Sequence, residues 1–261
     1  MRTILCIETS TDVCSAAVCR GEEVLCYRLS DSGINHSQLL PRFIKELMDE
    51  YQALRLQGDE YQALRLQGDE YQASGLQGDG PQAGQSVKGY GIDGVAVSSG
   101  PGSYTGLRIG VSTAKGLAYG WDVPMVGVPT LLVLCERVVK TEDIPAGALL
   151  CPMIDARRME VYTGLYDRSL QEVMGIRAQV VEDGGWLPKE EIYYFGNGAA
   201  KCEGVLTENC HILNGIQADA RYMGRLAARY IDEGQTADVA YFEPLYLKEF
   251  VAAPSHIKGL E

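Results

Sequence analysis

Ser98-Ser-Gly-Pro-Gly-Ser-Tyr-Thr-Gly-Leu-Arg-Ile-Gly110 is the stretch that decides the fold. It follows an apolar run, Gly94-Val95-Ala96-Val97, and leads into a helical pattern from Leu107 to Tyr119. A strand, a glycine-rich turn and a helix start point free backbone N–H groups at an anion. The spacing, however, lacks the Lys-Ser/Thr of a Walker loop. The segment predicts an α/β fold whose turn is something other than a standard phosphate cradle.

The helix after the turn carries two stripes. Gly106, Gly110, Ala114 and Ala118 form a row of small residues one turn apart, with Leu107, Val111 and Leu117 as bulk beside it. Such a row lets another helix backbone approach closely; packing on the sheet would use it equally. Pro124–Val128 reads as a further strand and Thr130–Val139 as a helix.

Upstream, residues 3–8 read as a buried strand stopped by Thr9-Ser10-Thr11-Asp12. Val13–Cys19 and Glu23–Leu29 flank Arg20-Gly21-Glu22, a hairpin signal. Leu39, Leu40, Phe43, Ile44, Leu47 and Met48 then recur at helical spacing over an arc of about 180°, wider than the ~100° a core-facing helix needs. Two readings stand: a helix wedged under a loop, or a second face that meets another protein. Residues 51–80 are a decapeptide tandem repeat, Tyr-Gln-Ala-Leu-Arg-Leu-Gln-Gly-Asp-Glu, twice intact and once decayed. Ten residues make about 2.8 helical turns, so an apolar stripe would rotate away from any fixed partner. An insertion over about 51–90, in part a helical extension, is the expectation.

Downstream of a hinge at Pro145–Gly147, the runs Ala148–Ile154, Glu160–Tyr166 and Val173–Val180 repeat the three-strand opening. Strands at Ile192–Phe195 and around His211–Leu213 and an amphipathic helix, Asp219–Asp232, complete the second half. The duplication predicts two similar α/β halves, residues 1–144 and 145–261, with the last helix able to cross back.

Bulk properties narrow the function. The 261 residues carry 35 acidic and 23 basic side chains, a net charge of −12, and such a surface repels phosphate backbones. Direct binding of tRNA or DNA is therefore not expected of this chain alone, and any nucleic acid would be met only indirectly, through a partner. The eight cysteines form no C-x-x-C pair and several sit in apolar runs, which reads as buried thiols in a reducing cytosol. No apolar run approaches the ~18 residues of a membrane span, so a cytoplasmic protein without a membrane role is expected.

Ile7-Glu8-Thr9-Ser10, His36-Ser37-Gln38-Leu39-Leu40-Pro41, Ser99–Gly110, Ile154-Asp155-Ala156-Arg157-Arg158-Met159-Glu160-Val161-Tyr162 and Pro244-Leu245-Tyr246-Leu247 occur in that order. Together they resemble the TsaB (YeaZ) family of the glycoprotease-like group, within the actin/hexokinase/Hsp70 superfamily. The resemblance spans the chain outside about 51–90. It implies two RNase H-like halves and a non-catalytic role in making N6-threonylcarbamoyladenosine on tRNA. It also implies docking on the transferase TsaD, with the ATPase TsaE joining them, and self-association through the same N-terminal face.

The implied docking helices, 37–50 and 103–119, place His36, Leu39, Leu40, Phe43, Leu47, Gly106, Gly110, Ala114 and Ala118 at the interface. Catalytic relatives hold a metal with His-x-x-x-His; here His36 is followed by Leu40, so no metal ligand pair exists. Glu8, Thr9 and Ser10, Gly100, Gly102 and Ser103, and Asp155 and Arg157 mark vestigial nucleotide-site turns. In the second turn two arginines and a methionine stand where glycines would close on phosphate. Asp155 and Arg157 pairing across that turn, to fix the halves together, is the other reading. ATP or ADP is expected only in the complex. Ser98, Ser99 and Ser103 lack Gly-x-Ser-x-Gly spacing and a neighbouring His in sequence. An ATP-dependent phosphotransferase and a peptidase remain as alternatives to the docking subunit.

Overall fold

The computed structural model describes the chain except residues 33–34, 67–89, 182–190, 206–209 and 249–261, together with the side chains of 58–66. Strand β1 (Thr3–Glu8) is buried at all six positions because it lies at the centre of a sheet covered on both faces. It pairs antiparallel with β2 (Cys14–Arg20), which pairs antiparallel with β3 (Glu23–Ser30). On its other side β1 runs parallel to β4 (Gly94–Ser98), and β4 to β5 (Met125–Val128). The order is β3-β2-β1-β4-β5.

The second half repeats this plan strand for strand. β6 (Leu149–Asp155), β7 (Glu160–Tyr166) and β8 (Glu172–Val180) are antiparallel, and β9 (Ile192–Phe195) and β10 (Cys210–Leu213) continue parallel from β6. Its order, read from the far edge, is β8-β7-β6-β9-β10. The chain is thus a duplicated α/β unit of two mixed sheets.

Helices α1 (His36–Leu66) and α2 (Tyr104–Trp121) cover the outer face of the first sheet. Leu40, Phe43 and Leu47 of α1 and Val111, Ala114 and Ala118 of α2 join Leu5, Ile7, Val95 and Val97 in one buried cluster. The wide apolar arc of α1 is explained by this double contact, with sheet and with α2. The helix runs through the first copy of the decapeptide repeat and ends inside the second; the rest of the insertion lies outside the described residues.

Between the two sheets lies a shared core. Helix α3 (Thr130–Thr141) contributes Leu131, Leu134 and Val138, and α4 (Gly224–Asp232) contributes Leu226 and Ile231. They pack against Ile4, Cys6 and Ala96 from one sheet and Leu150, Ile154 and Phe195 from the other. The amphipathic run expected as a single helix over 219–232 is a 3₁₀ turn, Ala220–Tyr222, followed by α4. That helix packs on β5, β1, β2 and β4 of the first sheet. A strap then continues along the N-terminal half. Ala237 bridges to Met125, the Leu245 N–H donates to the Ser99 carbonyl at 2.7 Å, and the Tyr246 ring lies 4.8 Å from Tyr104. Seven of the eight cysteines are buried free thiols.

Candidate functional site: the cleft between the halves and the outer face of α2

The β1–β2 turn and the glycine turn before α2 meet at the carboxyl ends of β1 and β4. Ser103 caps α2, its Oγ accepting the Gly106 N–H at 3.3 Å, while its own N–H donates to the Ser10 carbonyl at 2.6 Å. Thr9 Oγ1 donates to the Gly106 carbonyl at 2.8 Å. Gly100 adopts φ +99°, and a Cβ there would lie 2.8 Å from the Leu245 carbonyl oxygen of the strap. The glycines of this turn serve close packing of backbone on backbone.

Glu8 ends β1 with no solvent exposure. Its Oε1 accepts the Ser10 N–H at 2.6 Å and the Ser10 hydroxyl at 2.5 Å, while Oε2 has no hydrogen-bond partner. Burial raises its pKa to about 7, although the Ser10 bonds pull the other way. The first turn therefore spends the Ser10 N–H on its own glutamate and the Ser103 N–H on Ser10.

In the second turn the expected Asp155–Arg157 side-chain pair is not formed. Asp155 Oδ1 accepts the backbone N–H of Arg157 at 2.6 Å and the ammonium of Lys201 at 2.6 Å. Lys201 belongs to the same half, so the pair fixes the turn and not the halves. A side chain 46 residues further along the chain supplies the counter-charge. Lys248, at the end of the strap, donates to the Ala156 carbonyl at 3.2 Å and pairs with Glu160.

Between the first turn and the C-terminal half the cavity measures about 40 Å³, lined by Thr11, Asp12, Val13, Leu134, Asn197, Gln217 and Ala218. A ligand pocket needs some 300 Å³ or more, so the residues present do not fit a nucleotide. A wider groove of about 620 Å³ runs along the edge of β3. Its Arg28, Lys140 and Arg221 are paired with Glu46 and Glu50, with Glu136, and with Asp219.

His36 turns inward, its Nε2 lying 3.0 Å from the Thr11 carbonyl and 3.3 Å from that of Val13. Among the described residues no group of three His, Cys, Asp or Glu side chains is placed to hold a metal ion, and no helix is long and apolar enough to cross a membrane.

The residues expected to face a partner are placed differently. Leu40, Phe43, Leu47, Gly106, Gly110, Ala114 and Ala118 are all buried inside the N-terminal half, and His36 and Leu39 are half-buried. The small row of α2 seats that helix on the β1–β2 turn and the sheet. Thr105, Arg108, Ser112, Gly116, Tyr119 and Gly120 make up the outer face instead, with Tyr119 83% exposed. Around Gly116 and Gly120 the space is open. The signal for this face was present in Ser112, Gly116 and Gly120, a second small row at the same spacing.

Two RNase H-like halves, with a cavity of about 40 Å³ between them, define an actin-like architecture. Comparisons with known proteins agree with that class. A family model, tRNA N6-adenosine threonylcarbamoyltransferase (TsaD), matches residues 83–202. The tRNA threonylcarbamoyladenosine biosynthesis protein TsaB of Escherichia coli K12 is 29% identical over 174 residues, covering 62% of this chain and 73% of that protein. The Bacillus subtilis 168 protein of the same name is 44% identical over 89 residues, 34% of this chain and 35% of the relative. The solved structure of YeaZ from Pseudomonas aeruginosa has the same fold, with a TM-score of 0.70 at 22% identity, covering 95% of this chain and all of that one. The chain is thus similar in sequence to TsaB proteins and shares the fold of YeaZ.

Proposed function

We propose that this chain is a non-catalytic accessory subunit of the assembly that makes N6-threonylcarbamoyladenosine on tRNA. It docks on a TsaD-type transferase through the exposed face of α2, with a TsaE-type ATPase joining the pair. The names of the relatives support the reaction. The observation that carries the docking role is the pairing of a cleft of about 40 Å³ with an open face at Gly116 and Gly120.

The chemistry agrees. A transferase of this architecture needs a pocket for substrate and groups that stabilise charge, and here the Ser10 N–H is taken by Glu8 Oε1 and the Ser103 N–H by the Ser10 carbonyl. A helix face with two exposed glycines and Ser112, by contrast, permits close approach of a partner helix. The same face supports self-association, so homodimer and heterodimer compete for it.

The test is gel filtration of this chain mixed with its TsaD-type partner, which is expected to give a heterodimer. Failure to co-elute would sink the reading. Calorimetry with ATP-Mg on the isolated chain is expected to show no micromolar binding; its appearance would favour the phosphotransferase alternative. Peptide cleavage lost in Ser103→Ala would favour the peptidase.

A further inference from the structure

Arg157 and Arg158 stand side by side in the left-handed region, with φ +66° and +53°. That conformation is strained for an L-residue and is usually left to Gly, Asn or Asp. It persists where the surroundings over-determine it, and here they do. Asp155 holds the Arg157 N–H and Lys201, Asn197 Oδ1 accepts the Asp155 N–H at 2.9 Å, and the Ala156 N–H donates to the Glu160 carbonyl at 3.1 Å. Lys248 adds its bond to Ala156 and its pair with Glu160.

None of these contacts uses a guanidinium. Both arginines are exposed, and among the described residues neither side chain has an ion-pair or hydrogen-bond partner. The two acids of the turn, Asp155 and Glu160, are each neutralised by a lysine, which leaves the arginines as uncompensated charge. The chain's net −12 does not cancel them locally, because charges beyond about 10 Å are screened at 0.1 M salt. A turn with a purely structural task would take glycine or asparagine at these angles; two exposed guanidiniums carried on a fixed backbone suit bidentate contact with phosphate oxygens. An acidic protein partner fits less well. Protein hot spots are ringed by residues that exclude water, and apart from Met159 the exposed residues of this turn are charged.

We propose that the Asp155–Glu160 turn is a grip for the RNA backbone, Arg157 and Arg158 each meeting a phosphate of the tRNA held by the complex. This rests on the reading above that the chain works in a tRNA-modifying assembly. It revises the expectation that tRNA is met only through a partner.

The experiment uses the assembled complex of full chains and fluorescent tRNA, with anisotropy titrations between 50 and 200 mM KCl (conditions chosen for this test, on the order of those where phosphate contacts dominate). Arg157→Ala/Arg158→Ala is expected to weaken binding about ten-fold at low salt. It should also lower the slope of log affinity against log salt by about 1.4 to 1.8, two phosphates' worth. Arg157→Lys/Arg158→Lys should keep most of the slope. Unchanged affinity and slope in the alanine variant overturn the proposal. Loss of a protein subunit with RNA binding intact overturns it too, in favour of an acidic protein surface. Gel filtration of each complex separates these results from a failure of the wild-type heterodimer, which would remove the docking reading itself. Equal melting temperatures of the variants establish that the turn still folds.

Discussion

A methyl group on Gly106 would overlap the carbonyl oxygen of Thr9. One turn further along α2, a methyl on Gly110 would overlap Thr9 Oγ1. The helix therefore lies on the β1–β2 turn at a distance only glycine allows, and Thr9 locks the contact by donating its hydroxyl proton to Gly106.

Gly106→Ala and Gly110→Ala are accordingly expected to destabilise the isolated chain by about 2–3 kcal/mol, the upper part of the range for core overpacking. Helix propensity works in the opposite direction, since alanine gains up to about 1 kcal/mol over glycine. The steric term wins because the obstructing atoms are backbone and a buried threonine. Urea titration measures it, and a neutral result would mean that α2 stands off the turn.

Gly116→Trp and Gly120→Trp should behave the other way. A Cβ at either position meets nothing within 4 Å, so stability should stay within about 0.5 kcal/mol, as for surface changes. Co-elution with the TsaD-type partner should be lost. A bulky change at Gly110 or Ala114 would also abolish docking, but through unfolding, and circular dichroism separates the two cases. Trp variants that still co-elute at wild-type affinity would move the interface off this face.

The contrast between these two rows shows how far the sequence could be read. Periodicity identifies α2, the duplicated strand order and the Ser98–Gly110 turn, since each rests on local pattern. It cannot say which of two small rows on one helix faces the sheet, because both satisfy the same spacing. The wide apolar arc of Leu40, Phe43 and Leu47 fits a helix under a loop and a partner-facing helix equally well in sequence, whereas in the fold it meets both α2 and the sheet. Lys201 and Asp155 lie 46 residues apart, and Lys248 reaches Glu160 across 88; no motif links them. The strap has no periodicity that would announce its return to the first half.

Glu8 gives the fold a pH dependence of unusual sign for a carboxylate. Its folded pKa, about 7, lies above the 4.5 of the free side chain. Between those values the folded state binds the proton and the unfolded state does not, so its contribution is full below about pH 4.5 and is lost as pH rises through about 7. Glu8→Gln removes this dependence. The stability difference, variant minus wild type, should grow by on the order of 3 kcal/mol from pH 4.5 to 8. Denaturant titrations at several pH values read it; a flat difference would mean that Glu8 stays ionised in the folded chain.

Glu136 and Arg225 join α3 to α4 in the layer shared by both sheets. The Glu136 side chain is 1% exposed, Arg225 Nε donates to its Oε1 at 2.7 Å, a second guanidinium nitrogen bonds Oε2, and Lys140 stands 3.2 Å away. Burial alone would raise the Glu136 pKa, but Arg225 and Lys140 overcome it and hold the group below its ordinary value. Its contribution is thus present above the unfolded pKa and lost as pH falls through the folded one. Arg225→Met should cost about 3 kcal/mol at neutral pH, the low end for stranding a buried charge, because Lys140 remains. Adding Glu136→Gln should restore most of the loss, since the orphaned charge goes with it. Chemical denaturation of the single and double variants at pH 7 decides the matter, and an uncoupled double variant would mean that Arg225 contributes by packing alone.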